Sequence, residues 1–163
     1  VYGVQLDERS GSLEGLREAD VILVGVSRTS KTPTSIFLAR RGIKAANIPL
    51  VPNAKIPEEY FNLPNCLYVG LSAAPDRLAQ LRRTRLQADT NTKHIGPNEY
   101  LDLEKIEEEV KQARRLFNRH NWPVIDVTKR SIEETAAEIM AFWQNYQEKM
   151  RRAQEGQSLH ESG

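Results

Sequence analysis

The sequence predicts an α/β fold, a mainly parallel sheet flanked by helices, on three observations. Asp20-Val21-Ile22-Leu23-Val24-Gly25 is a short apolar, β-branched run that reads as a strand buried on both faces. A glycine-to-threonine loop and a helical segment follow it directly. Strand-like and helix-like stretches then alternate along the chain, the pattern of crossovers in a parallel sheet.

After the loop, Pro33 stands where a first helical position tolerates proline, and Ile36 to Ala39 carry the helix on to Gly42, a natural residue just past a helix end. Ala45 to Val51 reads as a second strand and Cys66 to Leu71 as a third, with a short helix at Pro57 to Asn62 between them. Pro75 to Gln87 reads as a basic helix and Asp89 to Asn98 as a polar loop. In Leu101 to His120, Leu103, Ile106, Val110, Ala113 and Phe117 recur at helical spacing. Val124 to Val127 is a fourth strand, and Ser131 with Glu134 forms a capping box that opens a helix from Ile132 to about Tyr146.

The chain has 163 residues, 39% of them hydrophobic and 28% charged, which suits one domain with a sizeable core. A formal net charge of +1 gives no whole-chain footprint for nucleic acid or an anionic membrane surface. The single cysteine, Cys66, excludes an internal disulfide and a cysteine-based metal site. Apolar runs are strand-sized and no signal-peptide pattern opens the chain, so the expected location is cytoplasmic, with neither nucleic acid nor membrane as partner. The first residue is Val rather than Met, so a piece of a longer or processed protein is expected.

Gly25-Val26-Ser27-Arg28-Thr29-Ser30-Lys31-Thr32 matches G-x-x-x-x-G-K-S/T except that Ser30 replaces the second glycine. Between a strand and a helix, the amides of such a loop converge on an anion. Lys31 would then meet the outer phosphates of a nucleotide, and the Thr32 hydroxyl would meet Mg²⁺. The fold therefore narrows to a P-loop-like three-layer sandwich, with ligand at the carboxyl ends of the strands. Residues 1–18 become an opening strand or linker from a missing N-terminal region, 19–149 the nucleotide-binding domain, and 150–163 a polar tail expected to be disordered. Serine lacks the backbone freedom of glycine, so the loop is expected to be tighter or differently turned at Ser30. Pro33 lacks an amide hydrogen for a phosphate, while the hydroxyls of Ser27, Thr29, Ser30 and Thr32 and the guanidinium of Arg28 crowd the same turn. The competing reading is a Ser/Thr-rich turn that only caps a helix, with Lys31 solvated.

Asp126 interrupts an apolar strand near its carboxyl end. It reads equally as a general base or metal partner, or as a carboxylate paired with Lys31 or a backbone amide. Arg82 and Arg85 share a helix face and could clamp phosphate, whereas Arg77 and Arg83 read as solvated. His94, His120 and His160 show no ligand spacing, and Cys66 reads as core. The charges of Glu104 to Arg115 read as a solvated face. Phe142, Trp143 and Tyr146 either cover core or make the contact of a homodimer.

The run Gly25 to Ile36 resembles the signature of the bacterial and plant pyruvate, phosphate dikinase regulatory proteins. Lys44 to Pro52, Arg77 to Leu86, Ala113 to Phe117, Trp122 to Thr128 and Ser131 to Ala136 are similar to that family in order and spacing, covering about Ala19 to Trp143. The resemblance implies a bifunctional enzyme that phosphorylates a threonine of the dikinase with ADP as donor. It also implies removal of that phosphate with inorganic phosphate, releasing pyrophosphate, and makes Ser30 the normal loop residue. Gly70-Leu71-Ser72-Ala73-Ala74-Pro75 departs from the family pattern, which carries Thr for Ser72 and often Asp in this turn. A related branch acts on phosphoenolpyruvate synthase and tends to have glycine before the lysine, so Ser30 favours the dikinase as target. A small-metabolite P-loop kinase and a non-catalytic nucleotide-sensing module remain as alternatives.

Overall fold

The computed structural model describes residues 3–5, 16–51, 56–88 and 102–161, with the side chains of 3–5, 85–88 and 157–161 left out. Asp89 to Asn98, His94 and the side chains of Arg85 and His160 therefore lie outside the described residues. Five parallel strands form one sheet: β1 (Gly3–Gln5), β2 (Val21–Val26), β3 (Ala45–Leu50), β4 (Leu67–Ser72) and β5 (Val124–Asp126), in the order β1-β3-β2-β4-β5. The helices are α1 (Lys31–Arg40), α2 (Pro75–Ala88), α3 (Leu103–Arg119) and α4 (Ile132–Glu161), with a 3-10 turn at Glu58–Phe61.

β2 is central because every one of its side chains is apolar or absent, and all its residues are buried. Alternate residues serve opposite layers, as the pleat requires. Ile22, Val24 and Val26 pack with Leu78 of α2 and Ile106, Val110 and Phe117 of α3. Val21 and Leu23 pack with Leu38 of α1 and Ala136 and Ile139 of α4. This is the expected three-layer sandwich. Phe142, Trp143 and Tyr146 lie against the second of these clusters, so they cover core.

The chain passes from β2 to β3 on one side and returns past β2 to β4 on the other. Among β2 to β5 this is the order of flavodoxin-like doubly wound sheets, whose ligands bind outside the carboxyl ends of the strands where the order reverses. Here that point lies between β2 and β4, and it is β2 that leads into the turn before α1.

Most element boundaries agree with the sequence reading. Gly42 adopts φ 82° just beyond α1, a left-handed conformation that suits glycine. Asp102 caps α3 by accepting the Glu104 amide at 3.0 Å, and the Ser131 hydroxyl accepts the Glu134 amide at 3.1 Å. Gly70 is fixed by packing, since a Cβ there would stand 2.6 Å from the Phe117 ring. The correction concerns the tail, where α4 continues through residue 150 to Glu161 instead of ending near Tyr146. Beyond Tyr146 the chain is polar but rich in strong helix formers, and Glu148 pairs with Arg151 at 2.7 Å and Arg152 at 3.3 Å. Polarity removes a core-facing stripe without removing helical propensity.

Candidate active site

The loop starts where β2 has no room for a side chain. A Cβ on Gly25 would stand 2.7 Å from the Leu71 carbonyl oxygen and 2.8 Å from Thr29 Oγ1. Arg28 at φ 71° and Ser30 at φ 62° both occupy the left-handed region. Ser30 thus takes a left-handed backbone that a glycine would take freely. Ser30 also makes no side-chain cap to α1, which removes support from a purely capping role for the turn. α1 begins at Lys31, earlier than read, so Pro33 falls in the first turn, where its missing amide hydrogen breaks no intrahelical bond.

Lys31 is not solvated. Its residue is 9% exposed, and Nζ donates to the Val26 carbonyl oxygen at 2.6 Å and to Thr29 Oγ1 at 3.2 Å. The Thr29 hydroxyl, fully buried, donates to the same Val26 oxygen at 2.9 Å. Burial above all, with the nearby charges of Arg82 and Arg28, brings the Lys31 ammonium down from an ordinary 10.5 to about 7. A cation destabilised this way is well placed to meet an anion.

Arg82 arrives from α2 and is 1% exposed. Its Nη1 donates to Glu109 Oε2 of α3 at 2.8 Å, and Nη2 reaches the Ser27 carbonyl oxygen of the loop at 3.4 Å. Arg82 of the basic run on α2 therefore turns inward to the loop. Glu109 was hidden among the charges of α3. The signal that marks it is its spacing, i+3 from Ile106 and i−4 from Ala113, both buried.

Thr32 is exposed at the second position of α1, accessible to a metal ion accompanying phosphates. Among the described residues no group of three or more His, Cys, Asp or Glu side chains could hold a metal. A magnesium ion that brought phosphate and water ligands with it would need only one hydroxyl from the protein.

Asp126 ends β5, with β4 between it and the loop strand. Its Oδ1 accepts the Thr128 amide at 2.9 Å and also the Thr128 hydroxyl, which in turn accepts the Ala74 amide at 2.8 Å. The carboxylate is thus paired with a backbone amide, while the Lys31 hydrogen bonds stay within its own loop. Partial burial raises the Asp126 carboxyl, but the two Thr128 hydrogen bonds and the Arg114 and Arg130 charges outweigh it and hold it below the usual carboxylate value. The linkage fastens β5 to Ala74, just beyond β4.

Beside the loop a cavity of about 430 Å³ opens between the carboxyl ends of β2 and β3 and the side of α3. Val26, Leu50 and Leu116 give it apolar walls, and Glu58, Glu109 and Arg119 give it polar ones.

With this geometry in place, comparison with known proteins decides the family. The sequence model of the kinase/pyrophosphorylase family matches residues 2–140. This chain belongs to the kinase/pyrophosphorylase family. A relative from Caulobacter vibrioides is 53% identical over 139 residues, spanning 85% of this chain and 43% of its own length. One from a Chelativorans species is 56% identical over 126 residues, 77% of this chain and 45% of its own. One from Maricaulis maris is 50% identical over 139 residues, 85% and 48%. Each of the three is provisionally named a pyruvate, phosphate dikinase regulatory protein. The chain spans less than half the length of these relatives. The kinase/pyrophosphorylase match takes in the phosphate loop, Arg82, Glu109 and Asp126. No helix among the described residues is long and apolar enough to cross a membrane.

Proposed function

We propose that this chain carries the nucleotide site of a protein that phosphorylates a threonine of pyruvate, phosphate dikinase with ADP and removes that phosphate with inorganic phosphate. The observation that carries the reading is the buried Lys31 at the start of α1, with Arg28 and Arg82 beside it. Three cations about one tight loop suit a ligand with two adjacent phosphates. The names of the relatives support the dikinase as target, and Ser30 favours it over phosphoenolpyruvate synthase.

In the forward direction the threonine oxygen attacks the β-phosphorus of ADP, the bond from that phosphorus to the bridging oxygen breaks, and AMP leaves. Lys31, Arg28 and Arg82 offset the charge developing on the phosphoryl and leaving oxygens. The hydroxyl proton passes to Asp126, whose Oδ1 is engaged by Thr128 and whose Oδ2 we assign as acceptor. The hydroxyl would then lie over the end of β4, between the loop and β5. Thr32 would help to hold Mg²⁺, which would supply neutralisation of phosphate charge. In the reverse direction an oxygen of inorganic phosphate attacks the phosphothreonine phosphorus, the threonine oxygen leaves and is reprotonated, and pyrophosphate is released.

The test is transfer of label from the β-phosphate of ADP to a dikinase threonine, abolished by Lys31→Ala. Transfer from ATP to a small metabolite would overturn the reading in favour of a metabolite kinase. ADP binding with no transfer would assign the chain to nucleotide sensing.

A further inference from the structure

The buried residues of α1 are Lys31, Thr34, Ser35 and Leu38, and of these Leu38 alone is apolar. Apolar contact is non-directional, so one leucine makes the helix pack without fixing where along the sheet its first turn lies. A hydrogen bond does fix that, and α1 makes one to the sheet at Ser35. The Ser35 hydroxyl, 2% exposed, donates to the Lys31 carbonyl oxygen one turn earlier at 2.6 Å and to Asn47 Oδ1 of β3 at 2.7 Å. One proton shared between two oxygens is a three-centre bond, and it ties the Lys31 backbone to the strand.

Asn47 is itself firmly placed. It is 3% exposed and stands in register with Leu23 of β2 on one side and Gln5 of β1 on the other. Stability does not ask for an amide there. Ala45, Ala46 and Ile48 around it are apolar and buried, and exchanging a buried polar pair for apolar groups of similar shape can be close to neutral.

We propose that Asn47 is a positioning residue for Lys31: through Ser35 it sets the axial place of the first turn of α1, and with it the place of the lysine in the loop. The inference rests on the reading that Lys31 meets the phosphates of the ligand, and it adds what holds that lysine in register. Little slack is left elsewhere, since Nζ reaches the Val26 carbonyl oxygen at 2.6 Å and Thr29 Oγ1 at 3.2 Å. A misplacement of about 1 Å costs a positioned group on the order of a hundredfold in the extreme.

Calorimetric titration of ADP and of inorganic pyrophosphate into the 163-residue chain near pH 8, in two buffers of different ionisation enthalpy, reads affinity and proton uptake together. Asn47→Leu and Ser35→Ala are each expected to weaken both ligands by about tenfold, because the phosphates are common to the two. The double variant is expected to be no weaker than the weaker single one, because the same linkage is cut. Proton uptake is expected to fall, since a Lys31 that leaves its buried place regains solvent and its proton. Leu38→Val trims the apolar contact of the same helix; it is expected to lower the thermal midpoint and to change either affinity by less than about twofold.

The proposal is overturned if the folded Asn47→Leu and Ser35→Ala proteins bind as wild type does, if they lose affinity with proton uptake unchanged, or if Leu38→Val weakens binding as much. Should Asn47→Leu not fold, Ser35→Ala decides alone, since alanine is the better helix former. Lys31→Ala binding as tightly as wild type would overturn the loop reading and this proposal with it. Weakening by Lys31→Ala but by neither of the other two would overturn only the part given to Asn47.

Discussion

Arg82 and Glu109 form a buried ion pair, Nη1 to Oε2 at 2.8 Å, between two helices that pack on the same face of the sheet. Glu109→Ala leaves the Arg82 charge buried with its carboxylate gone, and the expected loss is about 3 kcal/mol, as for other broken buried pairs. Replacing both residues, Arg82→Met with Glu109→Leu, is expected to recover most of that stability while weakening anion binding at the loop. Urea unfolding checks the first part and pyrophosphate titration the second.

The depressed Lys31 gives a pH dependence with a definite sign. Between about 7 and 10.5 the unfolded chain holds the Lys31 proton and the folded chain releases it, so this residue's contribution makes stability rise with pH through that window. The stability difference between wild type and Lys31→Met should therefore move in favour of wild type from pH 7 to pH 9. A bound phosphate reverses the depression, so ADP binding near pH 8 should take up a proton. Calorimetry in buffers of different ionisation enthalpy measures that uptake, and Lys31→Ala should lose it.

Ser30 sits in left-handed backbone at φ 62°, which costs a non-glycine residue about 1 kcal/mol. Ser30→Gly is expected to stabilise the protein by up to about that amount in thermal unfolding, less the entropy that glycine adds to the unfolded chain. Gly25→Ala is expected to destabilise by about 1–3 kcal/mol, because its Cβ would meet the Leu71 carbonyl at 2.7 Å.

Asp126 has two separable roles. Asp126→Asn keeps an acceptor for the Thr128 amide and should lose less than about 1 kcal/mol, while Asp126→Ala should lose about 1–2 kcal/mol. If Asp126 is also the base, the asparagine variant keeps ADP affinity and loses label transfer. Equal transfer by wild type and Asp126→Asn would remove it from the chemistry.

The sheet was legible because β2 is uninterrupted in its apolar character and α3 places Ile106, Val110, Ala113 and Phe117 on one stripe. The turn between β2 and α1 was legible because an apolar strand, a glycine-to-threonine stretch and a helical segment follow one another in the sequence. Three things were not. The length of α4 depends on propensity and local ion pairs after the core-facing stripe has ended. The partner of Asp126 is two residues away in sequence, so a local turn competed successfully with any long-range pairing. Glu109 looked like its charged neighbours, and only its position beside the buried stripe and across from Arg82 distinguishes it.

The central claim is that Gly25 to Thr32 holds the phosphates of a nucleotide through Lys31. Calorimetric titration of ADP into the wild-type chain and into Lys31→Ala tests it most directly. The expected result is binding to wild type that weakens by about a hundredfold in the variant, as for loss of a buried charge-assisted contact. Equal affinity of the two proteins for ADP, with both folded, would contradict it.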